Sequence, residues 1–162
     1  MRKLKIYLDT SVISHLDSPD VPDKQSDTLQ LWEEIKAGRL YEVYLSPITL
    51  EELENCPEPK RGRLFDFLGK INFNLIEEDS ETLRIARKFI ENGTLTEKSF
   101  DDCRHISCAL IAGCDIIVSW NFKHIVNLKT ISGVKSVAVL ERYREINIYT
   151  PSIVIGGEKG DE

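Results

Sequence analysis

Asp9 follows a short apolar run at residues 6–8, and the hydroxyl residues Thr10 and Ser11 follow it directly. A strand that ends on a carboxylate places that group at the carboxyl edge of an open α/β sheet, where such sheets build their ligand sites. Asp, Ser and Thr are also the residues that helix N-caps prefer. Helix capping is therefore the alternative interpretation of Asp9 and the favoured interpretation of Thr10 and Ser11. Asp9 is a ligand-site residue only if other acidic groups lie close to it in the fold.

Strand and helix signals alternate along the chain and indicate how these groups are positioned. After the first strand, further strands are predicted at 43–45, 73–76, 116–119 and 146–149. Helices are predicted from near Ser26 to Gly38, from Pro47, through 64–68, from the N-cap Ser80 to Gly93, over 99–112 and over 133–145. Strands separated by helices favour a parallel sheet with helices on both sides. We expect one α/β domain over residues 1–155 and a flexible tail over 156–162.

Further acidic residues fall at the same edge of this predicted sheet. Glu51 and Glu52 lie in the first turns after the second strand, Asp101 and Asp102 open the helix before the fourth strand, and Asn121 follows that strand. Asp115 begins the fourth strand, so it belongs at the opposite edge and is excluded. Converging carboxylates repel one another unless they share protons or bind a cation. Mg²⁺ and Mn²⁺ prefer oxygen ligands and can activate water for attack on a phosphate ester. An acidic helix on the protein surface would give a similar spacing of carboxylates in the sequence.

Composition narrows the classes of protein that fit. The chain has 162 residues, 41% of them hydrophobic, and a formal net charge of −6. That charge excludes binding to nucleic acid by bulk electrostatics and leaves bound cations or a local basic patch. No apolar run is long enough to span a bilayer, and the N-terminal run is broken by Asp9. Four irregularly spaced cysteines without a Cys-x-x-Cys pair argue against a zinc site. We expect a cytoplasmic protein that does not bind membranes.

Four segments of the sequence, in this order, resemble the PIN-domain family, and most closely its prokaryotic VapC-type members. They are Leu8-Asp9-Thr10-Ser11-Val12, Ser46-Pro47-Ile48-Thr49-Leu50-Glu51-Glu52-Leu53, Asp102-Cys103-Arg104-His105-Ile106 and Ser119-Trp120-Asn121-Phe122-Lys123-His124-Ile125. The likeness runs from about Lys5 to Val154. It implies a Rossmann-like parallel β-sheet flanked by helices, a Mg²⁺ or Mn²⁺ site, endoribonuclease activity, a toxin–antitoxin setting with an antitoxin protein, and a homodimer.

The resemblance also assigns residues to the site. Asp9, Glu52 and Asp102 fall on the family's acidic metal positions, with Glu52 preferred to Glu51 and Asp102 to Asp101. Many relatives carry an aspartate at the fourth position, where this chain has Asn121, so a second metal would be held more weakly. We predict that Asp9, Glu52, Asp102 and Asn121 are catalytic and that the three carboxylates hold the metal.

Contacts to RNA are predicted from basic and polar side chains near these segments. The candidates are Thr10, Ser11, Lys60, Arg61, Arg63, Lys123 and His124. The compact cluster at 60–63 is more commonly a solvated charge run, but it suits backbone contact in an acidic protein that acts on RNA. Trp120 could stack on a base, although core or dimer packing is the commoner role of such a residue. His105 is interpreted mainly as a partly buried, hydrogen-bonded histidine.

Three functions compete on these residues. The first is a metal-dependent ribonuclease. The second is a phosphatase or phosphotransferase with an aspartate nucleophile, which requires a second aspartate two residues after Asp9, where Ser11 stands. The third is a degenerate PIN domain that binds RNA or a protein without cutting, which Asn121 favours and the complete set of Asp9, Glu52 and Asp102 opposes.

Overall fold

Five parallel strands form one sheet in the computed structural model, which describes residues 2–156. The strands are β1 (Leu4–Leu8), β2 (Tyr41–Leu45), β3 (Asn74–Leu75), β4 (Ile116–Val118) and β5 (Asn147–Tyr149), in the order β3-β2-β1-β4-β5. The central strand β1 pairs with β2 on one side and with β4 on the other. The chain leaves β1 toward β2 and later returns to the far side at β4, so the strand order reverses at β1, and such a switch point forms a crevice at the carboxyl edge. The predicted α/β class with a parallel sheet is confirmed.

Eight helices flank this sheet within residues 2–156. They are α1 (Thr10–Ser14), α2 (Pro22–Ala37), α3 (Pro47–Glu54), α4 (Lys60–Leu68), α5 (Ser80–Glu91), α6 (Phe100–Ile111), α7 (Leu128–Glu141) and α8 (Pro151–Gly156). Successive side chains of a strand point to opposite faces, and β1 follows this rule. Ile6 and Leu8 belong to the core under α1, α2 and α4, whereas Tyr7 belongs to the core under α5, α6 and α7. Burial on both faces explains why the strand reads as an unbroken apolar run.

Two predicted helix starts are wrong because helix-initiating residues were assigned to loops. Helix α2 begins at Pro22 rather than near Ser26, since proline is well suited to the first helical position, where its missing N–H is not needed. Helix α7 begins at Leu128 rather than at residue 133. The Asn127 side chain accepts a hydrogen bond from Thr130 N at 2.9 Å and caps this helix.

Smaller corrections concern caps and ends. Asp79, not Ser80, is the N-cap of α5, and it forms a reciprocal capping box with Thr82. The third strand is limited to two residues, 74 and 75. Helix α7 ends at Glu141, before the predicted residue 145, because Arg142 adopts a left-handed conformation with φ of 62°.

The sequence analysis did not predict helix α8. It follows β5, packs against α2, and buries Val154 and Ile155 in the core under that helix. The predicted domain limit at residue 155 stays a prediction, and the predicted tail from residue 157 onward lies outside the described residues. Within residues 2–156, no helix combines the length and the apolar character needed to cross a membrane.

Helix α7 packs closely against the loop that follows α5. A Cβ atom added at Gly133 would lie 2.0 Å from Thr94 Oγ1 and 2.6 Å from Thr94 Cγ2. Thr94 is buried and held in place, since its hydroxyl donates to Asn92 Oδ1 at 2.6 Å. Only a residue without a side chain fits this contact, so position 133 requires glycine for steric reasons.

Candidate functional site

The acidic residues predicted from the sequence lie on elements that leave the carboxyl edge of the sheet. Asp9 follows β1 and is the N-cap of α1, Glu52 lies in α3 after β2, Asp102 lies in the first turn of α6, and Asn121 follows β4. Asp102 interacts electrostatically with both Asp9 and Glu52. The structure therefore brings the three carboxylates into one crevice beside β1.

Asp9 is buried and held by two serine hydroxyl groups. Ser11 Oγ donates to Asp9 Oδ1 at 2.6 Å, and Ser119 Oγ donates to Asp9 Oδ2 at 2.5 Å. The same two hydroxyls accept hydrogen bonds from the backbone of the following loop, Ser11 from Trp120 N and Ser119 from Asn121 N, each at 2.9 Å. Burial raises the pKa of Asp9, although nearby His105 and the serine hydrogen bonds oppose this shift. Ser11 thus orients the carboxylate, whereas its predicted contact with RNA stays a prediction.

Glu52 is held by a hydroxyl and an imidazole. Thr10 Oγ1 donates to Glu52 Oε1 at 2.7 Å, and His105 Nε2 donates to the same oxygen at 2.6 Å. Burial favours the neutral acid, but the hydrogen bond and charge of His105, together with Thr10 and Arg104, outweigh it and lower the pKa of Glu52. Glu52 is therefore kept as an ionised acceptor, and Thr10 has a structural role in holding it.

His105 links this carboxylate to a buried polar chain under the sheet. Only 2% of its surface is exposed. Because the carboxylate can only accept, Nε2 carries a proton, and Nδ1 shares a hydrogen bond of 2.5 Å with Tyr7 Oη. Tyr7 Oη also shares a hydrogen bond of 2.6 Å with Ser46 Oγ. The sequence analysis treated His105 as partly buried. Its three-residue spacing from Asp102 and a tyrosine within the β1 apolar run were the available signals for this network.

Asn121 contacts the third carboxylate. Its Nδ2 donates to Asp102 Oδ1 at 3.3 Å, and its Oδ1 accepts from His124 N at 3.0 Å, which fixes the orientation of the amide. Burial raises the pKa of Asp102, and the negative charges of Asp9 and Glu52 raise it further, while His105 and His124 oppose the shift. The mutual repulsion of these carboxylates is the electrostatic feature that a bound cation would relieve.

Replacing Tyr7 with phenylalanine tests the buried chain. We expect the free energy of unfolding to fall by about 1–3 kcal/mol, because His105 Nδ1 and Ser46 lose a partner inside the protein. Urea unfolding of the variant and the parent measures the difference. Tyr44→Phe is the matched control, since its hydroxyl donates to the surface residue Glu42. Equal, small losses in both variants would contradict the assigned role of Tyr7.

The excluded or less favoured acidic residues have other partners. Arg104 forms a bidentate ion pair with Glu78 at 2.6–2.7 Å and also pairs with Asp101 at 3.0 Å and Glu51 at 3.7 Å. Asp115 directly precedes β4 at the opposite edge, where its carboxylate binds Arg2, Arg144 and the backbone N–H of Lys5. Glu51, Asp101 and Asp115 are therefore engaged in structural ion pairs.

Most of the predicted basic contacts are already engaged within the protein. Arg61 pairs with Glu58 at 3.0 Å, and Arg63 pairs with Asp17 at 2.8 Å. Lys60 Nζ lies 3.4 Å from Ser18 Oγ, and His124 Nδ1 lies 3.5 Å from Ser99 Oγ. Lys123 is exposed in the loop after β4. Contacts between these residues and RNA stay predictions.

The donor set suits a hydrated divalent cation better than a fully dehydrated one. In residues 2–156, no three His, Cys, Asp or Glu side chains are arranged to hold one metal ion. Mg²⁺ keeps several of its waters and is commonly held by one or two carboxylates. Asp9 is buried, whereas Glu52 and Asp102 are partly exposed, and burial together with the charges of Asp9 and Glu52 raises the pKa of Asp102. This set of carboxylates fits such an ion bound partly through water.

A parallel sheet with acidic residues gathered at its carboxyl edge defines the class as an α/β domain with an acidic site. The PIN domain family matches residues 6–123, which is more than half of the chain. The chain belongs to the PIN-domain family. Comparison with curated proteins found no match to this sequence.

Solved structures of two related folds cover almost the whole chain. VapBC2 from Rickettsia felis, in a crystal structure with a DNA fragment from its promoter, is 13% identical and has a TM-score of 0.57; the match covers 91% of this chain and 98% of that one. VapBC-1 from nontypeable Haemophilus influenzae is 13% identical with a TM-score of 0.55, over 92% and 99% of the two chains. These similarities support the fold described above.

Proposed function

We propose that this PIN-domain protein is a Mg²⁺- or Mn²⁺-dependent endoribonuclease. The observation that carries the proposal is that three carboxylates in one crevice are each held by a dedicated donor. Ser11 and Ser119 hold Asp9, Thr10 and His105 hold Glu52, and Asn121 holds Asp102. Such supported carboxylates are typical of metal sites, where partners in the second layer orient the ligands. PIN-domain proteins are generally nucleases, which agrees with this chemistry.

Asp9, Glu52 and Asp102 would hold at least one cation, directly or through water. The ion would lower the pKa of an attacking water and stabilise charge on the phosphodiester. Thr10 holds Glu52, Ser11 and Ser119 hold Asp9, and His105 keeps Glu52 ionised. Asn121 orients Asp102 but adds no negative charge, so a second cation would be bound weakly.

The biological setting of the proposal is a type II toxin–antitoxin pair in the cytoplasm, with this chain as the toxin. Both structural relatives are VapBC proteins, and the antitoxin would be a second protein that blocks the acidic crevice. We further propose that the chain forms a homodimer. Leu128, Val139 and Leu140 of α7 expose 72–80% of their surface, which gives a second copy an apolar surface to cover.

The second candidate is a PIN domain that binds RNA or a protein without cutting. Two observations favour it: Asn121 replaces a carboxylate at the fourth position, and burial raises the pKa of Asp9 and so disfavours its charged form. The ionised, supported Glu52 favours the nuclease instead.

Cleavage of mixed structured RNAs by the purified chain tests the proposal. Parallel reactions contain Mg²⁺, Mn²⁺ or EDTA, and Asp102→Asn protein from the same preparation procedure is the control. We expect cleavage that requires metal and disappears in the variant. Cleavage that survives the substitution would come from a contaminant, and absence of cleavage by the parent with either metal would favour the binding module.

A further inference from the structure

An aromatic and cationic cluster is attached to the segments that carry Asp9 and Asn121, and its side chains are not among the groups described above that hold the carboxylates. It consists of His15, Lys24, Trp120 and Phe122, here called the aromatic platform. The ring centroids of Trp120 and Phe122 are 6.3 Å apart, and those of His15 and Trp120 are 5.8 Å apart. Lys24 Nζ lies 5.2 Å from the Phe122 centroid and 5.6 Å from the Trp120 centroid.

The two large rings of the platform have different exposure. Trp120 is only 7% exposed, and its Nε1 donates to the buried Thr28 hydroxyl at 2.8 Å, so it is fixed and covered. Phe122 exposes 48% of its surface. Trp120 therefore packs in the core, the commoner role that the sequence analysis named for it. Phe122 is better suited to stacking on a base, with Trp120 as a rigid support.

The platform shares its anchoring segments with the carboxylates. Trp120 N donates to the Ser11 hydroxyl that holds Asp9, and the next residue, Asn121, contacts Asp102. His15 follows the helix that Asp9 caps, and its Nδ1 donates to the carbonyl oxygen of Ser11 at 2.7 Å. The loop that carries Phe122 is therefore anchored to the same residues that hold Asp9 and Asp102.

Lys24 differs from the basic residues predicted from the sequence. Arg61 and Arg63 are neutralised by Glu58 and Asp17, whereas within residues 2–156 Lys24 takes part in no ion pair. It is held against aromatic rings, an arrangement that stabilises a cation without neutralising it. In a protein with a net charge of −6, such a cation offers a local contact for a phosphate.

We propose that the aromatic platform binds an unpaired nucleotide next to the cleaved phosphodiester, with its base on Phe122 and its phosphate at Lys24. This inference rests on the proposed ribonuclease function and assigns to Phe122 and Lys24 the contact with one unpaired nucleotide of the substrate. Stacking on an aromatic side chain contributes about 1–3 kcal/mol per base and tolerates any base. Bases inside an RNA duplex are already stacked on their neighbours, so only loops and single strands can use the platform.

Binding measured without cleavage separates this inference from the catalytic proposal. Asp102→Asn protein is titrated with fluorescently labelled single-stranded RNA in Mg²⁺, alone and combined with Phe122→Leu, Phe122→Tyr or Lys24→Gln. We expect Phe122→Leu to weaken binding roughly 5- to 150-fold and Phe122→Tyr to retain it, because stacking is worth about 1–3 kcal/mol. Lys24→Gln should reduce the slope of log affinity against log salt by about 0.7.

Matched controls lie at the other edge of the sheet. Phe73 is 36% exposed just before β3, and Lys70 is exposed near it, so Phe73→Leu and Lys70→Gln change the same residue types away from the platform. Both controls should bind RNA like the parent.

Several outcomes would overturn the inference. They are unchanged RNA binding by Phe122→Leu, an equal loss of binding in the Phe73→Leu control, and equal affinity for duplex and single-stranded RNA. The fourth is no RNA binding by the parent, which is the result expected if the platform binds a polypeptide. Failure of the proposed ribonuclease function gives a different result. If RNA binding depends on Phe122 but the parent shows no metal-dependent cleavage, the nucleotide-binding role of the platform is supported and the ribonuclease function is contradicted.

Discussion

Asp9→Asn protein is expected to melt at a higher temperature than the parent in EDTA while losing its response to Mn²⁺ and its ribonuclease activity. Loss of residues that only support metal ligands commonly costs 10–100-fold in activity. Asp9 is proposed as a ligand, so we expect cleavage to fall by at least about 100-fold. An amide keeps the size of the carboxylate, and its oxygen can still accept the hydrogen bonds from Ser11 and Val12. Its NH2 group would face Ser119 Oγ, which must then accept a hydrogen bond instead of donating one, and this exchange opposes part of the gain.

The expected gain in stability follows from the raised pKa of Asp9. A carboxyl group whose pKa is higher in the folded protein than in the unfolded chain stabilises the fold when protonated, and this contribution is lost as the pH rises through the folded value. Near neutral pH the burial of Asp9 therefore destabilises the metal-free parent, because the carboxyl group ionises more readily in the unfolded chain than in the folded protein. The difference in melting temperature between Asp9→Asn and the parent should shrink in acid, below the ordinary aspartate pKa of about 4.

Thermal melting in EDTA and in Mn²⁺, over a series of pH values, measures both effects. Binding to the native state alone raises the melting temperature of the parent as Mn²⁺ is added. Asp20→Asn is the control, because Asp20 is exposed and lies in the turn before α2. A parent protein that shows no shift in Mn²⁺, or an Asp9 variant that keeps the shift, would contradict the proposed metal site.

Gly133→Ala is expected to destabilise the protein strongly. The added methyl group would lie 2.0 Å from Thr94 Oγ1 and 2.8 Å from Thr94 Cβ, so α7 or the loop after α5 must move. Overpacking of this kind costs about 1–3 kcal/mol, and occasionally more. For a chain of this size, each kcal/mol corresponds to a fall of roughly 2–4 °C in melting temperature.

A double-mutant cycle with Thr94→Gly identifies the clash as the cause. The glycine removes the atoms that the new methyl group would meet, so the effects of Gly133→Ala and Thr94→Gly should be strongly non-additive. Gly69→Ala is the steric control, since its added Cβ would meet only ordinary contacts at 3.5 and 3.6 Å. Additive losses in the cycle, or an equal loss at Gly69, would show that another effect dominates.

Patterns within single segments predicted the architecture well. The apolar run before Asp9 predicted β1, and the alternation of strands with helices predicted a parallel sheet. Both predictions succeeded because the side chains that are buried in these elements are apolar, and that pattern is visible in the sequence. The start of α2 at Pro22 was missed since the same proline is compatible with a loop and with a first helical turn. Helix α8 was missed because six residues carry too little periodicity to be recognised.

The site was harder to predict because its order depends on contacts between distant segments. Ser119 is an ordinary strand-end residue in the sequence, yet it donates to Asp9 across 110 positions. His105 reaches Tyr7 across 98 positions and Glu52 across 53. Likewise, the cluster at 60–63 looks free in the sequence, and only the fold shows that Arg63 meets Asp17.

The two serine hydroxyls at Asp9 connect the carboxylate to the loop that carries Asn121 and Phe122. Each hydroxyl donates to Asp9 and accepts from that loop's backbone. A cation that withdraws electron density from the Asp9 oxygens weakens their hold on both serine protons and so alters the anchoring of the loop. Because such coupling is reciprocal, any molecule that fixes the loop changes cation affinity at Asp9 by the same factor. The binding of nucleotide and the binding of metal would therefore be coupled through two hydroxyl protons.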